Sequence, residues 1–255
     1  MNPSPIIETR DLTISFGGNV AVNKVNLKVE PFCLKSLIGP NGAGKTTLFN
    51  LISGQYRPTA GNVLFKGEDI TGLGPAERTK LGLGRSFQLT NIFPNLSVLE
   101  NVRVALQSKA EVGLVFWRYY RAYSELEDRA YELLKQVLLN DRWADAASSL
   151  THGEKRKLEI AILLALDPEV LLLDEPTAGM SLEEVPAILD LIQEIKAGRN
   201  RTILLVEHKF DMIMTVSDTI AVLKDGSLIC DGAPQAVAQN REVQEAYLSG
   251  GVTHD

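Results

Sequence analysis

Cysteine is nearly missing from the 255-residue chain: only Cys33 and Cys230 occur, far apart in apolar surroundings. Two such residues make neither a disulfide framework nor a metal cluster, and they suit a reducing compartment. Long apolar runs are missing too. The longest unbroken one, Ile160–Leu166, has seven residues, whereas a membrane-spanning helix needs about 20. Nor is there an excess of positive charge. Lys and Arg number 26 against 32 Asp and Glu, a formal net charge of −6, which argues against a nucleic-acid partner. Met1–Arg10 lacks a basic start followed by an apolar core, so no secretory signal is expected. With 45% hydrophobic and 23% charged residues the chain is neither disordered nor fibrous, and it is long enough to bury a sizeable core. These absences predict a cytoplasmic protein that reaches a membrane only through partners.

The order of elements is regular. Residues 5–30 alternate apolar and polar positions (Ile7, Leu12, Ile14, Phe16, then Val20, Val22, Val25, Leu27, Val29) and read as strands joined at Gly17-Gly18-Asn19. Phe32–Ile38 feeds a glycine-rich loop, followed by a helix over Thr46–Ser53. Asn62–Phe65 and Ile70 flank the turn Lys66-Gly67-Glu68-Asp69, and a short helix is expected over 75–83. Residues 98–150 change character and predict helices, with Leu126, Ala130, Leu133, Leu134, Val137 and Leu138 at helical spacing. The aromatics Phe116, Trp117, Tyr119, Tyr120 and Tyr123 read as packing. From residue 151 the pattern is helix, strand Val170–Leu173, helix Leu182–Lys196, strand Thr202–Val206, helix Asp211–Val216, a hairpin over Ile220–Asp231, and a last helix over Pro234–Leu248. Strands alternating with helices predict an α/β fold with a mostly parallel sheet. The N-terminal β region and the helical block are additions to it.

Two motifs carry chemistry. Gly39-Pro40-Asn41-Gly42-Ala43-Gly44-Lys45-Thr46 fits G-x-x-x-x-G-K-[ST] in full, after a strand and opening a helix. Glycines let the backbone wrap close to phosphate with its amides inward, and the helix N-terminus adds partial positive charge. Lys45 is placed to reach the β- and γ-phosphates, and Thr46 to ligate Mg²⁺. The second motif is Val170-Leu171-Leu172-Leu173 ending in Asp174-Glu175, an apolar strand that delivers two carboxylates. Its hydrophobicity on both faces marks a central parallel strand. Asp174 suits Mg²⁺ held through water, and Glu175 suits the attacking water. A buried strand ending in a solvated acidic turn is the plain alternative. Leu150-Thr151-His152-Gly153-Glu154 precedes a helix, and its Thr and Glu also have the spacing of a capping box.

On these residues the chain resembles the ATP-binding subunit of an ABC transporter over essentially its whole length. The resemblance includes Gln88 in Arg85-Ser86-Phe87-Gln88 and His208 in Leu204-Leu205-Val206-Glu207-His208. The family's signature is Leu-Ser-Gly-Gly-Gln; this sequence has Thr151, His152 and Glu154 in place of Ser, Gly and Gln. The aspartate usual in the loop after the catalytic carboxylate is replaced by Ala178-Gly179-Met180-Ser181. Leu158-Glu159-Ile160-Ala161, Pro176-Thr177-Ala178-Gly179-Met180 and Ala246-Tyr247-Leu248-Ser249-Gly250 are similar to importers of branched-chain amino acids. The His152-Gly153 pair with Ala178-Gly179-Met180 also resembles importers of urea, so urea or another small polar solute is the alternative cargo.

The resemblance implies a P-loop core sheet with an N-terminal antiparallel β region and an inserted helical subdomain at about 98–165, all in one ATP-binding domain spanning 1–255. It implies ATP and Mg²⁺ as cofactors, with Phe16 stacked on adenine, residues 39–46 and Thr47 around the phosphates, and Glu175 as general base. Thr46, Gln88 and Asp174 serve the metal, and Gln88 and His208 read the γ-phosphate. Thr151, His152, Gly153 and Glu154 act in trans on the ATP of a second subunit, the same or homologous. The implied partners are transmembrane permease subunits and, through them, a solute-binding protein. The implied place is the inner face of the cell membrane, held peripherally. The segment Leu89–Leu99, apolar but broken by Pro94, is expected to face the permease through Phe93, unless Ile92 and Phe93 only pack the helical subdomain. A soluble ABC-type ATPase acting on DNA or ribosomes is the rival, but the chain shows neither two nucleotide domains nor long coiled coils. A GTPase is disfavoured, since no Asn-Lys-x-Asp element occurs.

Overall fold

A computed structural model describes residues 4–86, 92–109, 119–207 and 210–248. In chain order the elements are β1 (Ile7–Phe16), β2 (Asn19–Val25), β3 (Lys28–Val29), β4 (Leu34–Ile38), α1 (Lys45–Ile52), β5 (Ala60–Phe65), β6 (Glu68–Asp69), α2 (Pro75–Lys80) and β7 (Leu83–Arg85). Then come α3 (Val98–Lys109), α4 (Tyr119–Gln136), α5 (His152–Ala165), β8 (Val170–Asp174), α6 (Val185–Ala197) and β9 (Thr202–Val206). The chain continues with α7 (Phe210–Val216), β10 (Thr219–Lys224), β11 (Ser227–Gly232), α8 (Pro234–Gln239) and α9 (Arg241–Leu248). Two compact units emerge: Met1–Arg85 with Glu169–Glu175 and Gln193–Asp255, and Ser86–Pro168 with Pro176–Ile192.

The first unit holds both sheets. One has the order β11-β10-β4-β9-β8-β7, parallel throughout except for the β10–β11 hairpin. Its central strands β4, β8 and β9 are buried at every position, as expected of a parallel sheet covered on both faces. The buried polar side chains of β4 are paired: Lys35 with Asp231, and Ser36 with Ser217. The other sheet is antiparallel, β2-β1-β5-β6 with β3 also on β1. In β1 the buried positions step from Thr9 to Leu12, three residues rather than two, where the register shifts and Asp11 takes φ 44°. That bulge explains why Ile7 and Leu12 share the core although their spacing is odd. Phe16 breaks the pattern the other way. Alternation from Ile14 would bury it, yet it is 48% exposed at the strand end.

In the second unit α3, α4 and α5 pack on one another. Ala130, Leu134 and Val137 form the buried stripe around α4. Leu138, placed with that stripe by spacing, lies past the end of α4 with φ 57° and is 67% exposed. Two other expectations shift. The helix expected over 75–83 ends at Lys80, and Leu83–Arg85 is an edge strand on β8. The last helix is two: Asn240 is extended, and its side-chain oxygen caps the amides of Glu242 and Val243 to start α9. Among the described residues no helix is long and apolar enough to cross a membrane.

Arg78 fixes the end of the helix that follows the phosphate loop. It is 1% exposed, and its guanidinium donates to the carbonyls of Leu51, Ile52, Ile70, Thr71 and Leu73. The first two are terminal carbonyls of α1, beyond the reach of regular helical bonding, and that of Leu51 also accepts from the Gly54 amide at 3.2 Å. Burial pulls the Arg78 pKa down to about 10. Arg78→Ala removes every one of these donors at once. We expect a loss of about 3–5 kcal/mol, the scale for breaking a buried charge-assisted network. At roughly 2–4 °C per kcal/mol for a chain of this size, Tm falls by about 6–20 °C. Thermal unfolding followed by circular dichroism checks this, and a drop under about 3 °C would show that water replaces the guanidinium.

Candidate functional site

The loop between β4 and α1 is shaped by backbone contacts that no side chain would permit. A Cβ on Gly39, where φ is 151°, would stand 2.1 Å from the Leu223 carbonyl oxygen; one on Gly44, where φ is 95°, would stand 2.4 Å from that of Ala21. The loop is thus pressed against β10 and β2. Its return is tied by the Ala43 amide to the Pro40 carbonyl (3.2 Å) and by the Gly226 amide to the Ala43 carbonyl (3.1 Å). Gly44 is the N-cap of α1 and offers no side chain to the first amides, and no acidic residue lies in the first turn. That leaves the helix start as an anion site.

Lys45 lies inside this curl. Its Nζ donates to the carbonyls of Gly39 (2.7 Å) and Pro40 (3.0 Å), and the residue is 5% exposed. Burial pulls its pKa down, while Glu175 and Asp174 pull it back up. Ammonium and both carboxylates therefore share one electrostatic neighbourhood. Thr46 and Thr47 are half-buried on the first turn of α1.

Asp174 ends β8 and is 2% exposed. Its Oδ2 accepts from Arg85 Nη2 at 3.1 Å; Arg85 Nη1 donates to Ser53 Oγ at 2.6 Å, and the guanidinium lies 5.0 Å from the Phe49 ring centre. Burial lowers the Arg85 pKa against the opposing pull of Asp174. Glu175 follows with φ 47°, its amide bound to the Val206 carbonyl at 2.9 Å. A non-glycine residue there carries strain of roughly 1–3 kcal/mol, a cost met most often at functional sites. The oxygen donors of Thr46 and Asp174 are hard ligands of the kind Mg²⁺ takes, and Mg²⁺ keeps waters and phosphates for its other positions. Among the described residues no group of three His, Cys, Asp or Glu is placed to hold a metal ion.

The Phe16 ring stands edge-on to Tyr56, centroids 5.5 Å apart, and both are partly exposed. Sequence reasoning found Phe16 and missed Tyr56, Arg85 and Tyr247. Arg85 was legible only as a neighbour of Gln88. Tyr247 packs with Phe210 (5.6 Å) in the cluster that contains Ile38, directly before the phosphate loop. Burial raises its phenol to about 12, and a hydrogen bond from the Gly39 amide pulls the other way. Gln88 and His208 lie outside the described residues, as do Leu89–Asn91, Phe116 and Trp117.

The second unit holds the turn Thr151–Glu154. Thr151 caps α5: its Oγ1 accepts from the Glu154 amide (3.2 Å), and Glu154 Oε2 accepts from the Thr151 amide (2.8 Å). The capping-box reading is therefore correct as local structure. Glu154 Oε1 also accepts from Arg142 Nη1 at 2.9 Å. His152 and Thr151 are exposed, and Gly153 is buried.

This chain matches known proteins along nearly all its length. The family described as ABC transporter covers residues 22–178. The high-affinity branched-chain amino acid transport ATP-binding protein LivG of Escherichia coli (strain K12) is 39% identical over 249 residues, 96% of this chain and 98% of its own. Among solved structures, the ADP conformation of an ATP-binding cassette of an ABC transporter has a TM-score of 0.82 at 26% identity, over 96% of this chain and 98% of that one. A dimeric post-hydrolysis cassette bound to ADP and Pi has a TM-score of 0.76 at 28% identity, over 89% of this chain and 98% of that one. The chain belongs to the ABC transporter family, as an ATP-binding subunit whose chemistry is ATP hydrolysis.

Lys45→Ala takes a charge-assisted donor out of the loop and leaves the Gly39 and Pro40 carbonyls without it. Losing such a contact costs about 1.5–3 kcal/mol. Equilibrium titration with a fluorescent ATP analogue should show a Kd raised by roughly 10- to 150-fold; an unchanged Kd would remove Lys45 from the site.

Proposed function

We propose that this protein is one of two ATP-hydrolysing subunits of an importer for branched-chain amino acids, docked on transmembrane permease subunits at the inner face of the membrane. Urea or another small polar solute is the second cargo in view. The observation that carries the ATPase reading is the loop closed around Lys45 in the same charge neighbourhood as Asp174 and Glu175. The 39% identity to LivG across 96% of the chain supports the cargo, which a solute-binding protein and the permease would select. The dimeric cassette bound to ADP and Pi supports a pair of subunits. Both compact units form a single ATP-binding domain on this reading, with the helical subdomain at about 98–165.

Each residue then has a task. Phe16, with Tyr56 braced behind it, stacks on adenine. The amides of residues 39–47 and the Lys45 ammonium take the phosphates. Thr46, Asp174 and Gln88 would hold Mg²⁺, which would supply charge neutralisation on the phosphate oxygens. Arg85 keeps the Asp174 carboxylate aimed from below the loop. Glu175 takes the proton of the attacking water as its oxygen bonds to the γ-phosphorus and the bond to the ADP oxygen breaks. Gln88 and His208 contact the γ-phosphate, and residues 151–154 approach it from the second subunit.

Glu175→Gln keeps the shape of the site and removes the base. Nucleotide binding should persist while steady-state ATPase activity falls by about 10²–10⁴-fold, the size of a general-base contribution. Phosphate release assayed on the purified variant decides it; near-normal turnover would sink the role.

Phe93 tests the permease face. It is 54% exposed, and its backbone amide and carbonyl are both held by the Asn101 side chain (2.7 and 3.1 Å), itself 2% exposed. The packing alternative is disfavoured for this ring, since Asn101 and not the phenyl group anchors the segment. Phe93→Asp should therefore melt within about 2 °C of the native protein and still bind nucleotide, yet lose the permease in a pull-down. Retained association with normal leucine uptake would place the coupling face elsewhere.

A further inference from the structure

Two departures from the family pattern, His152 and the Ala178–Ser181 loop, meet at one point in the second unit. His152, first residue of α5, directs its ring at the bend 177–180, and Nε2 lies 3.1 Å from the Ala178 carbonyl oxygen. A carbonyl only accepts, so the ring carries its proton on Nε2. Directly beneath the ring is Gly179. A Cβ there would stand 3.3 Å from Nε2 and 3.9 Å from each adjoining ring carbon, and φ at Gly179 is 74°. Gly153 seats against the same segment: a Cβ on it would meet Glu184 Oε1 at 2.8 Å and Met180 Cε at 3.3 Å. The bend is closed on itself, with the Met180 amide on the Thr177 carbonyl (3.3 Å) and Glu184 Oε2 accepting from the Ser181 amide and hydroxyl (both 3.2 Å).

We propose that His152 is a positioning residue that clasps the signature turn to the Ala178–Gly179 bend, with Gly179 as the matched small residue that makes room for the ring. The proposal rests on the reading of residues 151–154 as the signature. The bend starts two residues beyond Glu175 in the chain. One hydrogen bond thus ties the turn offered to the second subunit's ATP to the segment leaving the proposed base. A catalytic constellation loses rate when its supports loosen even slightly. The clasp also accounts for the pairing of the departures. A glycine at 152 has no donor for the Ala178 carbonyl, and a larger residue at 179 would push the ring away.

The test is a double-mutant cycle on the full chain, reading ATPase kcat and KM for ATP, with thermal melting as the folding control. His152→Ala is expected to lower kcat about three- to tenfold, the effect of one lost hydrogen bond. His152→Gln, which presents an N–H donor at similar reach, is expected to recover at least half of the native value. Gly179→Ala is expected to slow the native chain by crowding the ring and straining φ. In the His152→Ala background only the strain remains, so the two effects combine to at least threefold less than their product. The clasp stands only if both the rescue and the non-additivity appear. A Gln variant as slow as Ala, or strictly multiplicative effects, overturns it. Gly153→Asp, which puts a carboxylate into the turn itself, separates this from the underlying reading. If that variant turns over normally, the signature assignment fails and the clasp with it. If it is inactive while the cycle is multiplicative, only the clasp fails.

Discussion

Everything at the nucleotide end depends on a backbone-to-backbone contact. Phosphate binding needs amides turned inward along a tight loop, and the loop needs rigid support behind it. Here the support is the carbonyl of Leu223 on one side and that of Ala21 on the other, each closer than any Cβ allows. Those carbonyls belong to strands of two different sheets, one mostly parallel and one antiparallel. The loop therefore sits where both sheets back it, and the N-terminal β region is more than an appendage. It also carries Phe16 on β1, so the same strand pair that supports the loop presents the aromatic face.

Behind the loop the charges are arranged so that none is buried alone. Asp174 is held by Arg85, and Arg85 by Ser53 and the face of Phe49. Lys45 is held by carbonyls of its own loop while it sits near Asp174 and Glu175. A buried ion whose partner is lost costs several kcal/mol. The chain Ser53–Arg85–Asp174 thus fixes the direction of a carboxylate that would otherwise be drawn to the lysine. Ser53 caps the end of α1, and Arg78 holds the last carbonyls of that helix. Helix, capping serine, arginine and aspartate form one connected brace.

What could be read from the sequence follows from how local each cause is. The phosphate loop and the strand ending in Asp174-Glu175 declare themselves, because the first is fixed by glycine spacing and the second by a short apolar run closed by two acids. The bulge at Asp11 and the exposed Phe16 were hidden, since strict alternation predicts neither. Leu83–Arg85 was unreadable for another reason: three residues form a strand only because β8 lies beside them. Arg85, Tyr56 and Tyr247 owe their positions to contacts 30 or more residues away, such as Arg85 with Ser53 and Asp174. No spacing rule reaches them. Asn240 could have been found, because Asn followed by Arg-Glu-Val is a recognisable helix start.

The turn 151–154 shows how a carboxylate that looks electrostatically out of place is given partners. Glutamate at position 154 puts a carboxylate in a turn read as facing phosphate, where glutamine is the family norm. In this fold each oxygen has a partner. One accepts the Thr151 amide and the other the Arg142 guanidinium. Arg142 also pairs with Asp145, so the cation is shared between two acids. The carboxylate is thereby spent on capping α5, and an acid in the first turn is favoured by the helix dipole as well. The Glu154 charge is thereby offset in part by a cation at hydrogen-bonding distance. With both Glu154 oxygens engaged, the exposed residues of the turn are Thr151 and His152, beside a buried Gly153. A hydroxyl at 151 and a glycine at 153 are thus kept although a glutamate stands at 154.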